Sequence, residues 1–263
     1  MALIDVYSVP TERTSPRFAR AFAQGCGGRV VLARKKASGP IAMFGSPHLT
    51  AVLASAVAEG RDFYYGDHAY FRRFQFYRVT KNGYQHHGSG KASRDRFERL
   101  GIEIEPWKRG RDILICPPDH AYALRAGFDA DEWLASTVAT LRVHTDRPLR
   151  FRARVGAERN VVTLRAALKD CHAMVTHHSN AAVEALCMGY PVFVTGDCAA
   201  RALAETDLGK IETPRYPRDR RRWAAVLADN QWTFAEMAEG AAWRKLRAYP
   251  VITHRPNMLR VER

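Results

Sequence analysis

Strand-like and helix-like segments alternate along nearly all of the 263 residues, and that alternation leaves few folds open. Short apolar runs at residues 2–8, 29–32, 41–44, 62–65, 112–116, 149–154, 173–176 and 192–195 read as strands. Helical patterns at 15–24, 48–58, 131–143, 161–169 and 181–188 separate most of them. Such repetition predicts parallel sheets whose strands are joined by right-handed crossovers. The punctuation agrees: Ser15-Pro16 and Gly45-Ser46-Pro47 open helices, and Gly60 closes one. Two further helical segments, 218–228 and 233–247, lead into a basic tail.

The pattern restarts at Arg111. The expected architecture is therefore α/β, two small Rossmann-like domains with a cleft between them: residues 1–110, then 111–240, with 241–263 packing back on the first. A chain of this length buries a core of its own. Its longest apolar runs, such as 51–58, fall far short of the roughly 20 residues that span a bilayer. The N-terminal residues read as a first strand and not as a signal peptide. Five cysteines (Cys26, Cys116, Cys171, Cys187, Cys198), odd in number and outside any CxxC pair, suit a reducing, cytoplasmic setting.

A formal charge of +14 creates a field that attracts phosphate-bearing partners. The basic residues are spread along the chain, which suits a long binding surface. In residues 66–90 the aromatics Tyr70, Phe71, Phe74, Phe76, Tyr77 and Tyr84 interleave with basic side chains without a clean period. That composition fits either a substrate-contacting loop or a packing segment with a solvated rim. As a contacting loop it would offer Arg72, Arg78, Lys81, His86 and His87 to an acceptor.

Residues 174–196 are the most informative stretch, placing a strand, a polar turn, a short helix and another strand in close succession. Ser179 or Asn180 is a natural N-cap, and the N–H groups that follow suit an anion such as a pyrophosphate. His177 and His178 adjoin that turn. Glu184, four residues after Asn180, shares its helix face. From there it would face the strand ends, where open parallel sheets bind ligands and a carboxylate can accept from two ribose hydroxyls.

The elements His178-Ser179-Asn180, Glu184-Ala185-Leu186 and Gly189-Tyr190-Pro191-Val192 resemble the second domain of the GT-B glycosyltransferases, as found in capsule-polysaccharide and phage transferases. The likeness covers residues 170–196 closely and 112–196 in pattern. It implies a nucleotide-sugar donor, with a UDP-sugar as the expected one and no separate cofactor. Glu184 would hold the donor ribose and the Ser179 turn its phosphates. The chain is short for two full domains of that kind, so its first domain must be reduced.

Breaking a sugar–phosphate bond leaves negative charge on the departing phosphate, which needs cations or N–H donors. Arg152, Arg154 and Lys210 are the candidates. The acceptor hydroxyl needs a base; Asp67, at a predicted strand end, comes first and His68 second. The pairs His86-His87 and His177-His178 do not suggest a metal, because adjacent residues of a strand face opposite ways. Competing readings are a nucleotide-sugar epimerase of the same fold and a non-enzymatic nucleic-acid binder. A combined reading makes the acceptor a polyanion, such as phage DNA with hydroxymethylated bases.

Overall fold

The computed structural model describes residues 3–32, 37–88, 90, 93–152 and 162–248. The contacts divide the chain into two compact units, one made of residues 1–86 and 227–263 and the other of residues 87–226. Each is a Rossmann-like α/β body built on its own sheet. Among the described residues no helix is long and apolar enough to cross a membrane.

The first unit opens with β1 (Asp5–Ser8), α1 (Ser15–Cys26), β2 (Arg29–Leu32), β3 (Ile41–Phe44), α2 (Thr50–Ala58), β4 (Phe63–His68) and β5 (Tyr77–Lys81). The second comprises α3 (Asp95–Arg99), β6 (Asp112–Cys116), α4 (His120–Arg125), α5 (Ala130–His144), β7 (Leu149–Phe151), α6 (Leu164–Ala167), β8 (Cys171–Thr176), α7 (Ala181–Cys187) and β9 (Val192–Val194). The chain returns to the first unit within α8 (Arg220–Asp229) and finishes there as β10 (Gln231–Trp232), α9 (Phe234–Ala238) and α10 (Ala241–Ala248).

In the first sheet the strands lie in the order β10-β5-β4-β3-β1-β2. β1 to β4 are mutually parallel, while β5 runs antiparallel to β4 and β10 antiparallel to β5. Alternate strand residues supply the two faces, as a period of two requires. Ile4, Val6, Ala42, Phe44 and Tyr64 pack with Phe18 and Phe22 of α1, and Met237, Ala242 and Leu246 of the returning segment complete that layer. Tyr7, Ile41, Met43 and Phe63 face the other way, onto Leu49, Leu53 and Ala56. At Gly25 a side chain would stand 1.9 Å from the Met237 carbonyl, so only glycine lets α1 and α9 approach this closely.

The second sheet is fully parallel, in the order β7-β6-β8-β9. Ile113, Ile115, Ala173, Val175 and Phe193 form one layer with Leu141, Ile211, and the partly buried Trp133, Leu134 and Val138. Every residue of β8 is buried, as expected of a central parallel strand covered on both faces.

The expected α/β architecture with two Rossmann-like bodies is what the structure has. Its division of the chain runs differently: residues 87–110 lie in the second unit and 227–240 in the first. The returning segment belongs to the first because its Trp232, Met237, Ala242 and Leu246 are buried in that core. Of the expected tail, 241–248 is α10 of the first unit, and 249–263 lie outside the described residues.

Candidate functional site

The strand order of the second unit decides where a ligand can sit. From β6 the chain crosses to β7 on one side, then returns past β6 to form β8 and β9 on the other. The connections leaving β6 and β8 therefore diverge, and open α/β sheets take their ligands at the carboxyl ends of two such strands. Thr176 ties these ends together, its Oγ1 donating to the Cys116 carbonyl at 2.7 Å.

Three segments converge at this edge. After β6, Pro117-Pro118 cannot continue the ladder, and Asp119 caps α4 by accepting from the Tyr122 N–H at 2.8 Å. This presents Tyr122 flat against His178, ring centroids 3.3 Å apart and planes within 10°. Phe128 lies 4.5 Å from the His177 ring, and Trp133, near the start of α5, meets it edge-on at 6.1 Å. The Trp133 Nε1 donates to Thr195 Oγ1 at 2.8 Å, joining this wall to the segment after β9. There Gly196 donates to the His177 carbonyl at 3.0 Å. A side chain on Gly196 would stand 2.2 Å from the imidazole.

His177 and His178 thus sit just beyond β8, with ring centroids 5.7 Å apart and both against Tyr122. The expectation that they face opposite ways does not hold, because the strand ends at Thr176 and its alternation ends with it. Burial holds the His177 imidazole below its ordinary pKa, the Asp197 carboxylate acting weakly the other way. Its Nδ1 is buried and has no hydrogen-bond partner among the described residues; native structures seldom leave such an atom unmatched without a ligand or water.

Asn180 occupies the N-cap position of α7, while Ser179 Oγ accepts from the Ala181 N–H at 3.2 Å. Glu184 is half-buried on that helix, neither in the dry interior nor fully in solvent. Gly189 and Pro191 of the same motif have structural work: Gly189 ends the helix at φ +82°, and a side chain there would meet the Pro106 carbonyl at 2.0 Å. The Pro191 carbonyl accepts from Met174 at 2.9 Å.

Arg152 follows the end of β7, on the side of Cys116 opposite β8. Burial pushes the Cys116 thiol up to about 12, and the Arg152 guanidinium offsets only part of that. Arg154 lies outside the described residues. Lys210 is not brought to this edge: it adjoins Ile211, whose carbonyl bonds His172 at the amino end of β8, and its own ammonium is 3.8 Å from Glu205.

One pair at the edge was missed by sequence reasoning. His87 Nε2 lies 2.6 Å from Asp197 Oδ1, both side chains partly exposed. Expected on the acceptor side with His86, His87 belongs instead to the second unit. Its support is specific. Gly88, at φ +72°, leaves no room for a side chain beside the Trp223 ring, and the Trp223 indole donates to the Ala199 carbonyl at 3.1 Å. One tryptophan therefore braces the backbone next to each partner. No local signal links residues so far apart in sequence.

The first unit holds the remaining candidates. Asp67 lies near the carboxyl end of β4, within the strand because β5 pairs along it as far as His68. Its Oδ2 takes Arg78 Nη2 at 2.6 Å and its Oδ1 the His68 N–H at 2.6 Å. Arg78 is buried, bonds the His68 carbonyl at 2.9 Å and lies over Tyr70. These contacts make Arg78 a structural partner of Asp67. His68 packs among Phe44, Phe74 and Tyr77. Lys81 pairs with Asp62 at 2.9 Å, at the amino end of β4 and away from Asp67. The His86 N–H donates to Tyr70 Oη at 2.8 Å. Arg72 is exposed in the β4–β5 connection.

No protein-family model and no curated protein matches the chain. Solved structures do. A Thermosulfurimonas dismutans KpsC β-Kdo 2,4 transferase aligns with a TM-score of 0.55 at 12% identity, over 85% of this chain and 89% of its own. The chain shares that protein's fold. The β-Kdo 2,7 transferase of KpsC from the same organism aligns at 0.50 and 12% identity, over 93% and 100%. At such low identity the likeness establishes fold alone.

Proposed function

We propose that this chain is a glycosyltransferase of GT-B type that binds a nucleotide-sugar donor at the carboxyl edge of its second sheet. The observation that carries the reading is the convergence of His177, His178, Ser179 and the His87–Asp197 pair on the point where that sheet reverses its winding. The orphaned Nδ1 of His177 supports a ligand there. In this reading Glu184 holds the donor ribose, and the Ser179-Asn180 turn and Arg152 meet the phosphates.

Transfer breaks the bond between the anomeric carbon and the phosphate oxygen, and the electron pair leaves with the phosphate. The acceptor oxygen bonds that carbon and gives up its proton to a base. Without a metal, the departing charge has to be met by hydrogen-bond donors. With both ring nitrogens protonated, His87, held by Asp197 through Nε2, would supply one of them from Nδ1. The acceptor falls to the first unit, where Asp67 and His68 are the candidates for proton removal. A polyanionic acceptor such as hydroxymethylated DNA accords with the +14 charge. The named activity of the fold neighbours makes Kdo the first sugar to try, beside UDP-sugars.

A thermal-shift screen against nucleotides and nucleotide sugars tests the reading, since a ligand at about 100 times its Kd adds roughly 2.7 kcal/mol. Absence of any shift would remove its basis. A product isomeric with the donor, with no nucleotide released, would make the protein an epimerase instead.

A further inference from the structure

The connection between β4 and β5, residues 69–76, leaves the carboxyl end of β4 and carries a conformation that needs explaining. Arg72 and Phe74 both adopt left-handed backbone, at φ 53° and 72°. Non-glycine residues avoid that region because the Cβ crowds the backbone, and strain of this kind gathers at functional sites. The hairpin is held in it from outside. The side-chain amide of Gln231, fully buried, accepts from the Phe71 N–H and donates to the Phe71 carbonyl, each at 3.1 Å. Tyr77 Oη donates to the Phe74 carbonyl at 3.2 Å. The clamp displays Phe74 with 73% of its surface exposed, the most exposed phenylalanine among the described residues. Arg72 and Arg73 are exposed beside it, with the Arg73 guanidinium 5.7 Å from the Phe74 centroid.

A hairpin built only for packing would use glycine where φ is positive and bury more of its phenylalanine; here the Phe74 ring meets His68 at 5.0 Å, yet most of its surface stays exposed. An exposed apolar ring with one guanidinium 5.7 Å from its centroid and a second exposed arginine two residues before it matches a ligand that alternates flat faces with negative charges, and the net charge of +14 favours the same class. We propose that residues 72–74 dock single-stranded nucleic acid, with Phe74 stacking on a base and the two arginines taking flanking phosphates. The inference rests on the transferase reading only for its purpose, since it names the acceptor class; the binding itself stands apart.

Fluorescence anisotropy with a labelled single-stranded DNA 20-mer is the test, run on the full chain at several salt concentrations. Phe74→Ala is expected to weaken binding about tenfold, in line with one lost stack, and Phe74→Tyr to retain it. Arg73→Ala is expected to flatten the salt slope by about 0.7. Arg72→Gly relieves the backbone, so it is expected to melt no lower than wild type while binding more weakly; a purely structural hairpin would gain stability and keep its binding. Unchanged binding by Phe74→Ala overturns the proposal. So does equal displacement by an unlabelled sulfated glycan that Phe74→Ala leaves unaltered, which would assign the surface to anionic polysaccharide. A wild-type protein that binds the 20-mer through Phe74 but shifts with no nucleotide sinks the transferase reading and leaves this inference standing.

Discussion

The parallel strands of the first unit lie in the order β2-β1-β3-β4 and those of the second in the order β7-β6-β8-β9, so each sheet reverses its winding between its first and third strands. The two edges so produced are furnished differently. In the first, carboxylates are bonded in pairs beside an imidazole: Ser46 donates to Glu12 at 2.5 Å, Asp67 is held by Arg78, and His68 lies among Phe44, Phe74 and Tyr77. In the second, imidazoles stand among aromatic rings, and one buried ring nitrogen has no partner among the described residues. Topology gives both sheets an equivalent carboxyl edge, and the side chains placed there make the two edges chemically different.

Turnover breaks that comparison most sharply. His87→Ala is expected to lower kcat by a factor of about 10²–10³, the usual cost of removing one donor to a developing negative charge. Its folding stability should change by less than about 1 kcal/mol, because a partly exposed polar pair contributes little. Equal kcat in wild type and variant, measured by nucleotide release, would leave the pair a surface contact. Next in size, Glu184→Ala should erase the roughly 2.7 kcal/mol that saturating nucleotide adds, while Asp67→Ala keeps it. If the Asp67 variant were the one to lose the thermal shift, the donor would belong to the first unit.

Two glycines sharpen the contrast further. Gly25→Ala drives a methyl into the Met237 carbonyl and should cost about 1–3 kcal/mol, as overpacking does, with nucleotide binding kept. Gly196→Ala presses on the His177 ring and should weaken nucleotide binding more than it lowers the melting temperature. Denaturant midpoints together with ligand shifts separate the two outcomes.

The smallest expected effect is one of pH. Burial depresses the His177 pKa in the folded state, so between that value and the unfolded one, about 6.5, the unfolded chain binds more protons. Stability from this residue is whole above about pH 6.5 and is lost as pH falls through the folded value. Urea midpoints at several pH values should fall less steeply on the acid side for His177→Phe than for wild type. Parallel curves would mean that the imidazole titrates as it does in the unfolded chain.

Much of this architecture was legible along the chain. The apolar runs at 41–44 and 112–116 are strands as expected, and Gly60 closes its helix in the left-handed region at φ 69°. Such features depend on neighbours within a few residues, where backbone sterics and side-chain period decide the outcome. Of the strand expected over 149–154, Leu149–Phe151 pairs with β6 through Ile115 and Arg152 lies beyond it, while 153 and 154 lie outside the described residues.

By itself the sequence determined two runs of β-α units and the polar turn that follows β8, because period and capping are local properties of the chain. Only the tertiary structure decided that Gln231 and Trp232 close the first sheet and that His87 reaches Asp197. Those pairings join distant segments through burial shared by the whole core, and no window of neighbouring residues contains both partners.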